Sequence, residues 1–161
     1  MENTNEKTVS LLNGLIEINN DRIDGYEKAA KEIEDDFELK TLVTGFANDS
    51  RQYRGELITE VIFHGGSPAE GNTAAGKVYH AWMDIKAALT AKDTKAIVSS
   101  CEFGEDAAVE AYDDALKSED LSKKARSIVS SQRASVKQSH DKIKMMRDNA
   151  KVEKLNRVSF S

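Results

Sequence analysis

The chain contains 161 residues, of which 32% are charged and 39% hydrophobic, and it carries a formal net charge of −5. This length and composition are typical of one globular domain and exclude a disordered chain. The acidic excess, without a compact basic block, argues against a nucleic-acid partner. No apolar run could cross a bilayer, the first residues lack a secretory signal, and a single cysteine cannot form an internal disulfide. We therefore expect a cytoplasmic protein with no membrane partner.

The first half of the chain predicts two long helices. Apolar residues recur at intervals of four and three over about 7–34, which indicates one amphipathic helix. The acidic segment "EDDFELK" predicts a break, with Asp35 capping a second helix that extends to about Phe63. The inner face of this second helix is expected to contain Leu39, Val43, Phe46, Ser50, Tyr53, Leu57 and Val61.

The second half predicts a shorter helix and two more long ones. The segment "HGGSPAEGN" contains the only proline and is the clearest loop. A short helix follows over about 73–90, and Asp93 is a suitable N-cap for a helix over about 94–117. The segment "SEDLSKK" predicts another break, after which Asp120 can cap a last helix that ends near Asn149.

The chain also contains an internal repeat. Tyr26 matches Tyr112 and Asn19 matches Glu105, and each matched region is a helix, a short turn and a second helix. Two such hairpins joined by a long crossover predict an all-α, ferritin-like antiparallel four-helix bundle, with the extra short helix in the crossover between helices 2 and 3. Residues 1–149 would form this single domain, and 150–161 a polar C-terminal tail.

Four segments occur in this order along the chain: "LNGLIEINNDRIDGYEKAA", "FHGGSPAEG", "AWMDIKAAL" with "CEFGEDAA", and "HDKIKMMRD". Together they resemble bacterial four-helix-bundle proteins that are grouped as a domain of unknown function with a ferritin-like fold. The resemblance covers roughly 8–149 and is most specific at "CEFGEDAA" and the upstream Trp82. It implies a ferritin-like fold in a small bacterial protein but no established activity. A role in stress physiology is an analogy with that family.

A dinuclear ferritin-like metal centre requires one Glu from each of two helices and a Glu-x-x-His motif from each of the other two. None of the three histidines in this chain has a glutamate three positions before it. Glu105 is the one expected carboxylate on an inner face. The corresponding inner positions of the other helices carry uncharged polar residues, namely Asn19, Ser50 and Gln132.

An atypical metal site is one interpretation of the remaining carboxylates. Its candidate ligands are Glu102, Glu105, Glu56 and His140, and such a set suits a divalent ion such as iron, manganese or zinc. This interpretation predicts a metal-binding or oxidase-type ferritin-like protein.

The sequence favours the alternative, in which no cofactor binds. Glu102 and Asp106 are then solvated, and His140 pairs with a neighbouring carboxylate. Glu105 accepts a hydrogen bond from Tyr53 or Gln132, so that glutamine could replace it without loss of stability. Enzymatic activity stays open, but a non-catalytic bundle that acts by self-association, or by binding an unidentified protein, is favoured.

Three further expectations concern packing. Apolar residues on the crossover helix, namely Tyr79, Trp82 and Met83, predict an exposed contact surface and a homodimer. Cys101 lies on an apolar face and is expected to be a buried, unreactive side chain. Glycines inside helices lower helix stability, so we expect close approach of a neighbouring helix at Gly25, Gly45, Gly55 and Gly104.

Overall fold

A computed structural model describes the backbone of residues 4–160 and the side chains of residues 5–149. The described residues contain five helices and no strand, which confirms the predicted all-α class. The helices are α1 (Thr4–Glu32), α2 (Phe37–Phe63), α3 (Gly76–Ala91), α4 (Thr94–Lys117) and α5 (Lys123–Phe160). None of these helices has an apolar stretch long enough to span a membrane.

The N-caps of α2 and α4 are both aspartates. Asp93 caps α4 as predicted, because its carboxylate accepts a hydrogen bond from the Ala96 N–H at 3.2 Å. The prediction for α2 is wrong by one position. Asp36, not Asp35, accepts from the Leu39 N–H at 2.9 Å. An N-cap side chain accepts a hydrogen bond from the N–H three residues ahead. Because α2 begins at Phe37, the N-cap is Asp36, and Asp35 lies one residue too early.

The last helix differs from its prediction at both ends. Ser122, rather than Asp120, caps it by accepting a hydrogen bond from the Ala125 N–H at 3.2 Å. The backbone of α5 then continues through Phe160 instead of ending near Asn149. The extension contains no glycine or proline and is rich in good helix formers, which explains its helical backbone. The division into a domain and a tail stays a prediction.

Four long helices, α1, α2, α4 and α5, surround the core. Helix α1 packs against α2 and α4, and α5 packs against the same two helices. Short connections make α1 and α2 antiparallel. Hydrogen bonds from Asn19 to Tyr112 and from Tyr26 to Glu105 show that α1 and α4 are also antiparallel. It follows that α2 and α4 are parallel, so the connection between them must return along the length of the bundle.

This return crossover follows α1 from its beginning towards its end. The Asn13 side chain donates a hydrogen bond to the Ser67 carbonyl at 3.0 Å, and the Asn20 side chain donates to the Gly71 carbonyl at 2.8 Å. The crossover then forms α3, which packs on α1 and α4. The predicted short helix between the second and third long helices is therefore present.

Close packing at glycine is confirmed at one of the four predicted positions. A Cβ atom on Gly25 would lie 2.4 Å from the Trp82 ring, so this position must lack a side chain. Gly104 has only an ordinary contact, with Ala81 at 3.6 Å. The prediction is wrong for Gly45 and Gly55, where an added Cβ atom would have no neighbour within 4 Å.

The core consists of two apolar clusters separated by polar residues. One cluster contains Leu12, Leu57 and Tyr112, and the other contains Phe46 and Cys101. All the residues predicted for the inner face of α2 are buried. The buried polar residues at mid-height include Asn19, Arg22, Ser50, Glu105, Gln132 and Ser139.

Candidate functional site

The centre of the bundle contains a buried ion pair between α1 and α4. Arg22 Nη1 lies 2.5 Å from Glu105 Oε2, with 6% of the arginine side chain and 0% of the glutamate side chain exposed. Arg22 Nε donates a hydrogen bond to Ser50 Oγ at 2.9 Å, and Ser50 donates to the Phe46 carbonyl at 2.7 Å. The Tyr26 hydroxyl donates to Glu105 Oε1. We call Arg22, Tyr26, Ser50 and Glu105 the charged layer.

The prediction that Glu105 accepts a hydrogen bond from Tyr53 or Gln132 is wrong. Its two oxygens contact Arg22 and Tyr26 instead, and the burial of Arg22 was not predicted from the sequence. Arginine is mostly exposed in proteins, so a surface position is the first expectation for any arginine in a sequence. A signal was nevertheless present. Arg22 is the only basic residue between Lys7 and Lys28. It also lies four residues before Tyr26, on the face that packs inward.

The charged layer keeps its side chains in their unreactive forms. Burial raises the pKa of Tyr26 well above its ordinary value, and the Glu105 charge raises it further. Burial, together with Glu105, raises the pKa of the Cys101 thiol to about 12, which agrees with the expected inert cysteine. Burial alone would lower the pKa of Arg22, but the adjacent Glu105 carboxylate raises it. None of these groups is poised to exchange a proton at neutral pH.

A second network lies beside the charged layer and contains no charge at its centre. Asn19 Nδ2 donates to the Tyr112 hydroxyl at 2.9 Å, and that hydroxyl donates to Gln132 Oε1 at 2.7 Å. Gln132 Nε2 donates to the Tyr53 carbonyl and to Glu56 Oε1, both at 3.1 Å. We call Asn19, Tyr112 and Gln132 the neutral layer.

The two layers are related by the internal repeat. In that register Asn19 matches Glu105 and Tyr112 matches Tyr26. The hydrogen bond between Tyr26 and Glu105 is thus the repeat equivalent of the one between Tyr112 and Asn19. In each hairpin, a tyrosine of the first helix forms a hydrogen bond with a polar side chain of the other hairpin.

A dinuclear metal centre does not fit these inner residues. Glu105 is the one carboxylate in the two layers, and both of its oxygens are used by Arg22 and Tyr26. Apart from Arg22, the other polar side chains of the two layers are amides and hydroxyls, which are poor substitutes for the four carboxylates of such a centre. The guanidinium of Arg22 supplies the positive charge that a metal would supply there.

The structure brings together two of the four residues predicted as atypical metal ligands. Glu102 and His140 lie side by side on α4 and α5, and Asp106 joins them, with one ligand atom from each within 4.8 Å of the others. Glu105 points into the charged layer, and Glu56 is exposed on α2. We call Glu102, Asp106 and His140 the α4–α5 cluster.

Each member of this cluster also has a contact within the chain. His140 Nε2 lies 2.5 Å from Asp106 Oδ1, so His140 pairs with a neighbouring carboxylate as expected. Glu102, which was expected to be solvated, is only 11% exposed at its side chain, and its Oε2 lies 2.5 Å from Arg147 Nη1. Sequence reasoning did not include Asp106 among the ligands, although its position four residues after Glu102 places both on one helix face.

Residues 7–119 match the model of a protein family described as Domain of unknown function (DUF2383). The chain belongs to this family. No curated protein matches it. The matched DUF2383 segment includes all of α1 except its first three residues, and the whole of α2, α3 and α4. It therefore contains the whole charged layer. His140 and Gln132 lie on α5, beyond that segment, so the α4–α5 cluster and the neutral layer each depend on a helix outside it.

Proposed function

We propose that this DUF2383 protein is a ferritin-like bundle with an internal ion pair in place of a metal centre, and that it acts as a non-catalytic scaffold that forms a homodimer. The parallel arrangement of α2 and α4, joined by a return crossover, supports the ferritin-like assignment, since ferritin-like folds have one long crossover of this kind. The observation that carries the proposal is the Arg22 guanidinium on the buried Glu105 carboxylate.

A non-catalytic role agrees with the chemistry of the interior. The thiol of Cys101 and the hydroxyl of Tyr26 are buried, and both have raised pKa values, so neither is an activated nucleophile. The Glu105 carboxylate contacts Arg22 and Tyr26 through its two oxygens, so it is not a free base for proton transfer. A catalytic site needs at least one such group matched to the working pH.

An apolar groove between the beginning of α2 and the later part of α5 supports self-association. Phe37 is 83% exposed and Met145 is 64% exposed, and both line this groove with Leu42 and Met146. On the predicted α3 surface, Met83 is 45% exposed, whereas Trp82 covers Gly25. The larger exposed apolar area is therefore on the α2–α5 side. We call Phe37, Leu42, Met145 and Met146 the terminal groove.

A second copy of the chain is the partner that suits the terminal groove. Its edge carries Glu38 from α2 and Lys142 from α5. In a two-fold symmetric dimer the same patch meets itself, and a residue of one copy contacts a different residue of the other. Glu38 of one copy can thus face Lys142 of the second copy, while the apolar side chains of both copies are buried between them.

The mass of the protein in solution, measured by light scattering over a range of concentrations, tests this proposal. We expect a dimer for the native chain and a monomer for the double variant Phe37→Ser with Met145→Ser. The matched control is Ile62→Ser, because Ile62 is 60% exposed but lies at the end of α2. A native chain that stays monomeric at high concentration, a double variant that stays dimeric, or a large cage would each contradict the proposal.

A further inference from the structure

The α4–α5 cluster has a chemistry that the scaffold role does not use. We infer that Glu102, Asp106 and His140 form a binding site for a divalent first-row transition-metal ion, of which Zn²⁺ is the best match. Glu102 and Asp106 lie one helical turn apart on α4, so their carboxylates share a face. The imidazole of His140 approaches that face from α5, and the three ligand atoms lie within 4.8 Å of one another.

Side-chain rotation alone can complete the geometry. Ligand atoms of a tetrahedral zinc ion lie about 2.0–2.2 Å from the metal, which separates any two of them by roughly 3.3–3.6 Å. The His140–Asp106 separation of 2.5 Å therefore has to widen by about 1 Å, and no separation has to shrink by more than about 1.5 Å. Asp106 has 59% of its side chain exposed and is free to make this adjustment.

The orientation of the His140 ring favours metal coordination through Nε2. Nδ1 lies 3.0 Å from Asp141 Oδ1, a carboxylate oxygen that can only accept, so the proton belongs on Nδ1. Lys137 Nζ is 3.5 Å from the same nitrogen but makes its shorter contact, 2.8 Å, with Asp141. A carboxylate behind a histidine is the usual second partner of metal-binding imidazoles, because it fixes the ring and the tautomer.

His140 Nε2 and Asp106 Oδ1 face each other at 2.5 Å, so the two atoms are already directed at one another. A proton shared between them accounts for this contact in the metal-free chain. A metal ion bound by both atoms would take the place of that proton.

The present partner of Glu102 does not block the site. Arg147 Nη1 contacts Glu102 Oε2, but Arg147 also contacts Asp148 Oδ1 through Nη2 at 3.2 Å. The side chain of Arg147 is 30% exposed, so it keeps a charged partner and access to water when a metal takes its place on Glu102. Two carboxylates also neutralise a divalent ion fully.

The ligand set selects the class of ion. An imidazole nitrogen with two carboxylate oxygens suits zinc and its first-row neighbours, whereas Mg²⁺ and Ca²⁺ prefer oxygen ligands alone. Zinc exceeds manganese and iron in its affinity for mixed nitrogen and oxygen sites. Three protein ligands leave one position for water, as in open zinc sites. The site is independent of the terminal groove, which lies between α2 and α5.

Calorimetric titration with Zn²⁺ tests the site, using the full chain without an affinity tag after treatment with a chelator. We expect one ion per chain, with at least tenfold weaker binding in His140→Gln and in Asp106→Asn. Asp141→Asn removes the carboxylate behind the ring and is expected to weaken binding by about tenfold. Far-ultraviolet circular dichroism checks that each variant is folded, and Asp106 is exposed enough for its variant to fold.

Two matched controls and one spectroscopic readout complete the experiment. His80→Gln removes an exposed histidine of α3, and Asp113→Asn removes an α4 carboxylate outside the cluster, so neither should change Zn²⁺ binding. In nitrogen-15 spectra of the imidazole rings, Zn²⁺ should shift the His140 signals and leave those of His80 in place. No binding to the native chain, binding unchanged in both His140→Gln and Asp106→Asn, or unshifted His140 signals would overturn the proposal.

Discussion

The charged layer and the neutral layer occupy equivalent positions of the two hairpins but are stabilised differently. In the charged layer a fully buried carboxylate, Glu105, needs the guanidinium of Arg22 and the hydroxyl of Tyr26. In the neutral layer Asn19 takes the same position with an amide, and its hydroxyl partner is Tyr112. Burying an amide with hydrogen bonds costs far less than burying a charge.

This difference shows where the bundle is sensitive to substitution. The members of a buried ion pair depend on each other, because the loss of one leaves an uncompensated charge. A neutral network loses only the hydrogen bonds of the deleted group. Both layers leave one buried atom without a hydrogen-bond partner among the described residues, Arg22 Nη2 and Asn19 Oδ1. The layers are therefore distinguished by charge more than by the completeness of their hydrogen bonds.

The largest effect is expected for Arg22→Met, which leaves Glu105 buried without its cation. We expect the free energy of unfolding to fall by about 3–5 kcal/mol. Urea denaturation followed by circular dichroism measures it. The control is Arg51→Met, since Arg51 pairs with Glu27 at the surface, where such a pair contributes at most about 1 kcal/mol. Equal effects of the two substitutions would refute the distinction.

The two equivalent tyrosines offer the next comparison. Tyr26→Phe removes a hydrogen bond to a charged acceptor and should lower the free energy of unfolding by about 1.5–3 kcal/mol. Tyr112→Phe removes hydrogen bonds among neutral groups and should lower it by about 1–2 kcal/mol. The same denaturation experiment applies to both variants. A larger loss for Tyr112→Phe would reverse the assignment of the two layers.

Trp82 covers the charged layer from α3 and lines a small cavity with Arg22 and Tyr26. Gly25→Ala places a methyl group against its ring and should destabilise the protein by about 1–2 kcal/mol, because overpacking exceeds the gain in helix propensity. Trp82 is the only tryptophan, so its fluorescence should shift to longer wavelength as the ring moves into water. Gly45→Ala, with open space around it, should be neutral or stabilising. An unshifted spectrum in Gly25→Ala would contradict this packing.

Over the first pH unit above 9, alkaline pH gives the smallest expected effect. The Cys101 thiol has a folded pKa of about 12, against an ordinary value of 9.0. Between these values the unfolded chain has released a proton that the folded chain keeps, so the free energy of unfolding falls as the pH rises. One such group contributes a slope of about 1.4 kcal/mol per pH unit. Cys101→Ala should reduce the slope above pH 9 by that amount, and an unchanged slope would refute the shift.

The sequence predicted the parts of the fold that depend on helical periodicity. The inner face of α2 follows from intervals of three and four, because one helix face alone carries the apolar residues. The ion pair of Arg22 and Glu105 could not be predicted in this way, since it depends on how two helices face each other. Glu56 was predicted as a metal ligand only because its position along α2 is at the same height in the bundle as Glu102. It lies at the exposed edge of α2, where its Oε1 accepts a hydrogen bond from Gln132 instead of joining the α4–α5 cluster.

The metal hypothesis shows the same limit. Glu102 and His140 were placed together from connection lengths, and the structure does bring them close. Glu105 lies only three residues from Glu102, yet it belongs to the interior. Rotation around one helix thus separates a carboxylate that contacts α1 from one that contacts α5. Whether metal binds there stays a proposal.

A double-mutant cycle on Arg22 and Glu105 tests the central claim most directly, with chelator-treated protein so that no metal contributes to stability. Because Glu105 pairs with Arg22, Glu105→Gln should now destabilise the protein, contrary to the expectation from sequence. We expect Arg22→Met with Glu105→Gln to cost at least about 2 kcal/mol less than the sum of the two single substitutions, since each single one leaves a lone buried partner. Losses that add to within about 0.5 kcal/mol would show that the two residues do not form the pair on which the bundle centre depends.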